Sequence, residues 1–261
     1  MKIARFRHGG ALSFGILDED EREWVVLAGD PKYAGYDTTG ERIALSDATL
    51  LAPVLPRSKV VGIGRNYREH AEEMGSEAPE SPLMFLKPNT SVIGPDDAIV
   101  LPPQSQRVEH EGELVVVIGR IAKDVSARNA LDYVFGYTAG NDVTARDLQR
   151  ADGQWARGKG FDTFCPLGPV IETDFDVASA TIETKVNGEP RQTGRTADLI
   201  HGIPELVAYA AGVWTLLPGD VIMTGTPAGV GPLAAGDRVD VTISGIGTLS
   251  NPVRAKETSA P

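Results

Sequence analysis

The stretch "RVEHEGELVVVIG", residues 107–119, places charged side chains directly before a run that a protein interior accepts. Glu111 and Glu113 precede five consecutive apolar residues that end at Ile118. A short apolar run bounded by glycine predicts a buried β-strand. Because side chains alternate faces along a strand, the two carboxylates would point the same way, with Cα atoms about 6–7 Å apart. The stretch therefore predicts a core strand that begins at a pair of carboxylates.

Such a pair needs compensation, because two close carboxylates repel each other unless a cation lies between them or one holds a proton. At the end of a core strand, a divalent cation would compensate them better than a surface ion pair. Oxygen ligands without a nearby thiolate favour Mg²⁺ or Mn²⁺, or Ca²⁺, over zinc. The alternative is a solvated strand end with ordinary surface glutamates. His110 would point to the opposite face and is expected to have no metal role.

A third ligand is expected from "GYTAGNDVTARDLQ", residues 136–149. This segment runs from a predicted strand through Gly140 into a polar turn, which places Asp142 at a strand end. The alternative is that Asp142 is the N-cap of a helix that follows it. Both interpretations remain open from the sequence alone.

Composition and charge exclude several classes of protein. The chain of 261 residues has a formal net charge of −11, which argues against a nucleic-acid binder, because such a protein needs a basic surface. No stretch reaches the roughly 18–20 apolar residues of a membrane span, and the N-terminus lacks the apolar core of a signal peptide. Cys165 is the only cysteine, so no intrachain disulfide can form. We therefore expect a cytoplasmic protein whose partners are neither nucleic acid nor membrane.

Short β-prone runs separated by turns dominate the chain. Residues 2–18 are typical of two strands around a Gly-Gly turn, and Asn187-Gly188 is a strong hairpin signal. The clearest helix is predicted over residues 199–214, with a proline near its first turn. Because strands outnumber helices and do not alternate regularly with them, we expect a mixed α+β fold that is mainly β, rather than a doubly wound or TIM-type fold.

The domain boundary is expected near residue 55. Residues 50–59 combine two prolines with basic residues, which is typical of a linker. A small β-rich N-terminal domain would cover residues 1–55, and a larger domain residues 56–261. Within the larger domain, the proline-rich segment 78–91 is predicted to be a loop.

His70 and Glu73 lie three residues apart in a predicted short helix of "GIGRNYREHAEE", residues 62–73. Residues at this spacing share one helix face. A carboxylate beside an imidazole fixes its tautomer and raises its basicity, as in general-base pairs. The alternative is a Glu-rich surface helix with an incidental histidine. The two glycines of the segment do not make a dinucleotide-binding fingerprint, which needs a third.

Two glycine-rich segments provide further candidates. Lys159 lies between two glycines, which let the backbone approach whatever the lysine faces. In "MTGTPAGVG", residues 223–231, backbone N–H groups and the hydroxyls of Thr224 and Thr226 could cradle a carboxylate, or the segment is a plain turn. Cys165 lies between bulky neighbours with no evident base, so we expect a packed thiol rather than a nucleophile.

Together these segments resemble the fumarylacetoacetate hydrolase family over about residues 57–253. The individual motifs are short, but their order along the chain is specific. The segments that carry the resemblance are "GIGRNYREHAEEMG", "FLKP", "EHEGELVVVIGR", "GYTAGNDVTARDLQ", "KGFDTFCPLGP", "VNGEPRQ" and "GDVIMTGTPAGVG".

The resemblance implies a mixed β-roll catalytic domain, a small β-rich N-terminal domain, a homodimer, and one Mg²⁺ or Mn²⁺ ion per subunit. His110 stands where many members have tyrosine, and Gly112 where an apolar side chain is common, but neither change removes a ligand. The implied site residues are Glu111, Glu113 and Asp142 for the metal, His70, Glu73 and Lys159 for catalysis, and Arg65, Tyr67, Gln149, Gly225 and Thr226 for substrate contacts.

The resemblance also implies an activity on small anionic 2-oxo acids or their enols through a metal-bound enolate. Because both His70 and Glu73 are present, the first expectation is C–C bond hydrolysis of acylpyruvates or decarboxylation of oxaloacetate. The alternative is a 2-hydroxyhepta-2,4-diene-1,7-dioate isomerase or decarboxylase of aromatic catabolism, because such enzymes have similar sequences. An alternative of another class is a non-catalytic, metal-dependent binding protein with the same fold.

Overall fold

Strands dominate residues 1–256, the part of the chain that the computed structural model describes. Residues 257–261, the end of the predicted catalytic domain, lie outside it. None of the helices in the described part is long and apolar enough to cross a membrane. The strands are β1 (Lys2–His8), β2 (Ala11–Asp18), β3 (Glu23–Leu27), β4 (Thr38–Ala44), β5 (Thr49–Leu51), β6 (Val60–Gly64), β7 (Leu83–Lys87), β8 (Val92–Ile93), β9 (Ile99–Leu101), β10 (Val108–His110), β11 (Gly112–Ile118), β12 (Val134–Asn141), β13 (Thr144–Ala145), β14 (Cys165–Glu172), β15 (Thr181–Val186), β16 (Glu189–Arg195), β17 (Val221–Met223), β18 (Gly231–Pro232), β19 (Arg238–Ile243) and β20 (Gly247–Ala255). The α-helices are α1 (Pro31–Ala34), α2 (Arg68–Glu73), α3 (Arg146–Asp152), α4 (Ala156–Lys159) and α5 (Ile203–Val213), and 3₁₀ turns cover Leu45–Asp47, Asn89–Ser91, Ala127–Tyr133 and Thr196–Asp198.

The strands of the described chain form three sheets, the largest with 12 strands. Its order is β4-β3-β2-β1-β14-β12-β11-β17-β6-β7, with β5 beside β1 and β8 beside β14. Most neighbours are antiparallel, whereas β17 and β6 are parallel. The other sheets have the orders β16-β15-β19-β20-β9 and β13-β10-β18. This architecture confirms the predicted mixed, mainly β fold.

The strand predicted from the opening stretch is β11, which lies inside the main sheet between β12 and β17. All of its residues are buried. Leu114, Val116 and Ile118 pack into one hydrophobic cluster, while Val115 and Val117 pack into another on the opposite face. Both faces of the strand are therefore covered, and this is why its sequence is continuously apolar rather than alternating.

The N-terminal strands continue the main sheet. The first strand, β1, pairs with β14, with Lys2 opposite Glu172. Its Phe6 is fully buried and stacks on Trp24 with ring centroids 5.9 Å apart. Both side chains belong to the same hydrophobic cluster as Leu114 of β11. The sheet and its core thus extend across the predicted domain boundary.

The predicted linker over residues 50–59 is held by packing and hydrogen bonds. Val54 is buried in the cluster beneath β14, and the backbone N–H groups of Ser58 and Lys59 donate to the carboxylate of Asp220 at 3.0 and 3.1 Å. The Lys59 ammonium donates to the same carboxylate at 2.9 Å. These contacts fix the entry into β6.

The predicted loop over residues 78–91 is wrong in its middle, where Leu83–Lys87 form β7. This strand pairs with β6 and is the last strand of the main sheet. Pro82 and Pro88 flank it, and these prolines obscured the strand in the sequence because proline usually interrupts a sheet ladder. The strand matters for the site because its last residue, Lys87, is buried there.

Four neighbouring strands bring the candidate site together at one edge of the main sheet. The parallel strands β6 and β17 both end there, β11 begins there, and antiparallel β12 ends there. The segments that follow β6, β12 and β17 carry most of the predicted site residues. The site is therefore assembled by strand order rather than by closeness along the chain.

We predict that Phe6→Ala lowers the stability of the whole protein by about 3–5 kcal/mol, because it leaves a cavity in the shared core. Urea unfolding followed by far-UV circular dichroism measures this loss. Leu12→Ala on the neighbouring strand is the control, because Leu12 is 58% exposed and should cost little. Equal midpoints for wild type and Phe6→Ala would contradict a core that includes the N-terminal strands.

Candidate active site

Three buried carboxylates, those of Glu111, Glu113 and Asp142, meet where β11 begins and β12 ends. One oxygen from each lies within 4.8 Å of the others. The register of the two strands produces this meeting, because Gly112 lies opposite Asn141 and the N–H of Asp142 donates to the Glu111 carbonyl at 2.8 Å. Asp142 is not a helix N-cap, since α3 begins four residues later. The structure thus brings together the three residues expected to bind a metal.

Two lysines and an arginine surround the carboxylates. The Lys159 ammonium donates to Glu111 Oε2 and to Asp142 Oδ2, both at 2.6 Å. The Lys87 ammonium donates to the other oxygen of Asp142. The Arg146 guanidinium pairs with Glu111. All three cationic side chains are buried, so each acid–base contact is made away from water.

These cations act unequally on the acids. Burial alone would raise the pKa of Glu111, but the charges of Lys159 and Arg146 hold it below its ordinary value. Glu113 has no such partner among residues 1–256 and accepts a hydrogen bond from the Gly225 N–H at 2.8 Å. Burial, followed by the charges of Asp142 and Glu111, raises the pKa of Glu113 well above its ordinary value.

The set of side chains fits a divalent cation. Four buried acids face three buried lysine or arginine side chains at this site within residues 1–256, and the exposed Arg107 adds a second partner to Glu109, but Glu113 has no cationic partner. Carboxylate oxygens are the ligands that Mg²⁺ and Mn²⁺ prefer. The acids are Glu109, Glu111, Glu113 and Asp142, and the cations are Lys87, Arg146 and Lys159.

The helix α2 carries the predicted dyad over the site. His70 Nδ1 lies 3.2 Å from Glu73 Oε2, and His70 is buried while Glu73 is partly exposed. The N–H of Gly229, in the loop after β17, donates to both Glu73 oxygens at 3.2 Å. Glu73 therefore joins the histidine to the loop that carries Thr226. Within residues 1–256, no hydrogen bond is made by Nε2 of His70.

A cavity of about 280 Å³ opens between the dyad and the carboxylates. Among the predicted residues, Tyr67 and Gly225 do not line it, because Tyr67 is buried at the start of α2 and Gly225 lies behind Glu113. Asp142 and Glu73 do not line it either, and they contact the lining residues Lys159 and His70. The predicted residues that line the cavity are Arg65, His70, Glu111, Glu113, Gln149, Lys159 and Thr226.

The segment around Gly112 is held by Gln192, a residue that the sequence did not single out. Its side-chain oxygen accepts from the Gly112 N–H at 3.0 Å, and its amide donates to Thr226 Oγ1 at 2.6 Å. A Cβ at Gly112 would lie 2.1 Å from Thr184 Oγ1, so a larger residue there would require the Thr184 side chain to move. His110 lies on this side, 3.1 Å from Gln192, and not among the carboxylates.

Other cavity and supporting residues were also missed from the sequence. Lys87 lay in a segment predicted as a loop, and Arg146 and Arg150 looked like ordinary charges of a helix. Arg146 Nε donates to Glu109 at 2.7 Å, and Arg150, one helical turn further along α3, lines the outer cavity. Cys165 is buried and its pKa is raised to about 12 by burial, which agrees with the predicted packed thiol.

Comparison with known proteins gives consistent matches along the chain. The family described as "Fumarylacetoacetate (FAA) hydrolase C-terminal" matches residues 59–254, and "Rv2993c-like, N-terminal" matches residues 1–53. Protein Rv2993c of Mycobacterium tuberculosis is 55% identical over 98% of this chain and 99% of its own length. Oxaloacetate tautomerase YisK of Bacillus subtilis is 45% identical over 80% of this chain and 74% of its own.

A solved structure extends the similarity to three dimensions. The 2-hydroxyhepta-2,4-diene-1,7-dioate isomerase from Mycobacterium marinum is 47% identical, with a TM-score of 0.90, covering 99% of this chain and 100% of its own. The family match spans all the strands that build the candidate site. These matches confirm the resemblance drawn from the motifs, and the chain belongs to the fumarylacetoacetate hydrolase family of enzymes.

Proposed function

We propose that this chain is a divalent-metal-dependent enzyme that moves a proton at C3 of small 2-oxo dicarboxylic acids or their enols. The observation that carries the proposal is the buried His70, which lines a cavity together with Glu111 and Glu113. A relative at 45% identity is named as an oxaloacetate tautomerase, and a similar structure as an isomerase of an enolic dioate. Both names describe proton transfer rather than cleavage.

The inner end of the cavity would bind the 2-oxo acid group. Glu111, Glu113 and Asp142 would hold Mg²⁺ or Mn²⁺, whose positive charge attracts the substrate carboxylate and polarises the 2-oxo group as a Lewis acid. Lys159 also lines the inner cavity and would donate a hydrogen bond to the C2 oxygen. Thr226 lies on the same wall, where its hydroxyl is held by Gly112 and Gln192.

His70 would exchange the proton at C3. If its Nδ1–H donates to Glu73, Nε2 is the nitrogen of His70 that would face the cavity and accept a proton. In the keto-to-enol direction, Nε2 takes a proton from C3 and the electron pair moves onto the C2 oxygen. The same proton would then pass from Nε2 to the C2 oxygen, which forms the enol and restores the imidazole, and the reverse order regenerates the ketone.

The outer end of the cavity would select a second carboxylate. Arg65 and Arg150 both line the cavity, and neither forms an ion pair within residues 1–256. Arg65 instead lies over the Trp155 ring, with Cζ 5.9 Å from the ring centroid. Because a guanidinium matches the geometry of a carboxylate, these arginines favour a dicarboxylate over a monocarboxylate.

Hydrolysis of acylpyruvates and decarboxylation of oxaloacetate are the second candidate activities. The His70–Glu73 contact favours hydrolysis, because an oriented imidazole can also activate water. Decarboxylation would need the same enolate but no base. A purely binding role would require neither the dyad nor Lys159.

The homodimer and the cytoplasmic location that the sequence implied stay predictions.

We predict that Glu113→Gln keeps or raises the stability of the metal-free protein but removes most of the stabilisation by metal. Without metal, the variant should be as stable as wild type or more stable, because a neutral amide relieves repulsion and still accepts from Gly225. With Mn²⁺ at a hundred times its Kd, wild type should gain about 2.7 kcal/mol, and the variant should lose most of this gain. Thermal unfolding with EDTA or Mn²⁺ measures both, with surface Glu183→Gln as the control. An equal gain in wild type and Glu113→Gln would contradict the metal assignment.

The dyad is tested by enol–keto tautomerisation of oxaloacetate, followed through the ultraviolet absorbance of the enol. We expect His70→Ala to lower kcat by roughly 10²–10⁴-fold, the usual contribution of a general acid–base residue. Glu73→Gln should have a smaller effect. Glu72→Gln is the matched control, because Glu72 is exposed on the same helix. If His70→Ala slows acylpyruvate cleavage but not tautomerisation, hydrolysis is the better assignment.

The outer arginine should control substrate choice. We expect Arg150→Gln to raise KM for a dicarboxylate by roughly tenfold to a hundredfold. This is the change in affinity expected when one charge-assisted hydrogen bond is lost. KM for a 2-oxo monocarboxylate should hardly change. The control is Arg157→Gln, whose side chain pairs with Asp152 outside the cavity. A parallel rise in KM for both substrates would mean that Arg150 does not recognise the second carboxylate.

A further inference from the structure

A second polar cavity, of about 350 Å³, lies where the N-terminal strands meet the segment that leads into β6. It shares no lining residue with the cavity of the candidate active site. Its walls come from β1, β2, α1 and the segment before β6. The lining residues are Arg5, Phe14, Asp30, Lys32, Tyr33, Val54, Leu55 and Arg57.

The floor of this cavity holds a buried ammonium group. The Lys32 side chain is only 4% exposed, and its Nζ lies 2.8 Å from Asp30 Oδ1. The same nitrogen lies 5.3 Å from the ring centroid of Phe14 and 5.7 Å from that of Phe135. One carboxylate and two aromatic faces thus surround a charge that water barely reaches. Such burial is costly unless the charge is fully compensated.

The positive charge is not fully compensated. Arg5 and Arg57 also line the cavity, so three cations share one carboxylate, that of Asp30. Burial, and then the charge of Arg5, lowers the pKa of Lys32 although Asp30 opposes this. Burial likewise lowers the pKa of Arg5. The cavity is therefore a locally positive site in a chain with a net charge of −11.

We propose that this cavity binds a small dianion. Inorganic phosphate and a short dicarboxylate both carry this charge and are the two ligands that the experiment distinguishes. Two excess positive charges match a dianion. The Lys32 ammonium would bind it from the floor and the Arg5 guanidinium from the β1 wall. Arg57 would close the mouth, because its Cζ lies 4.7 Å from the ring centroid of Tyr33, at the exposed rim. Arginine and lysine are the side chains that proteins use for such anions.

The bound anion would join two parts of the chain. Arg5 and Lys32 belong to the N-terminal strands and the helix that follows them, whereas Arg57 belongs to the segment that enters β6. Tyr33 already connects the rim to another region, because its hydroxyl donates to the Pro218 carbonyl at 2.7 Å. A ligand held by both walls would therefore stabilise the folded protein against unfolding.

Calorimetric titration of the full-length, EDTA-treated protein tests this proposal, since removal of metal suppresses dianion binding at the carboxylates. Inorganic phosphate and malonate are titrated separately at constant ionic strength. We expect saturable binding of at least one of them, with one site per chain and an increase in the unfolding temperature. Saturation by phosphate alone would identify a phosphate site, and saturation by malonate a dicarboxylate site.

Variants locate the binding. Lys32→Met keeps the apolar length of the side chain and should weaken binding by roughly tenfold or more, as expected for a lost charge-assisted hydrogen bond. Arg57→Gln changes an exposed side chain and should weaken binding without affecting the fold. Lys2→Met is the control, because Lys2 pairs with Glu19 away from the cavity. The proposal is overturned if neither anion saturates, or if Arg57→Gln and folded Lys32→Met bind as wild type does.

Discussion

The burial of acidic side chains at the start of β11 is the constraint on which the site depends. Glu111 and Glu113 lie at the start of this core strand, where water cannot screen their charges, and Asp142 lies beside them at the end of β12. Lys87, Lys159 and Arg146 offset part of this charge, each from a different element. The order of strands in the main sheet is what brings these elements together. A cation at Glu113 would complete the compensation that the protein side chains leave unfinished.

The fold was predictable from the sequence where local patterns determine structure. The apolar run of β11 and the Asn187-Gly188 hairpin follow from neighbouring residues, and both are present. Strand pairing between distant segments is not encoded in such patterns. The pairing of β1 with β14 and the placement of β7 beside β6 depend on tertiary packing. The edge strand β7 was missed because prolines flank it, although its interior residues are suitable for a strand.

The same distinction applies to the site. The spacing of Glu111 and Glu113, and of His70 and Glu73, is local, so their meeting could be anticipated from strand and helix geometry. The partners that compensate or orient them come from far along the chain. Lys87 is 55 residues from Asp142, and Gln192 is 80 residues from Gly112. Surface charges and buried ligands look alike in a sequence, which is why Arg146 and Arg150 were not singled out.

The central claim is that Glu111, Glu113 and Asp142 hold one divalent cation against the end of β11. Anomalous X-ray diffraction from crystals soaked with Mn²⁺ tests it most directly, because the ion is located without assuming any reaction. The account predicts one anomalous peak per chain, bounded by carboxylate oxygens of these three residues. A map with the three carboxylates well ordered and no peak between them, or with the peak at other residues, would contradict the account.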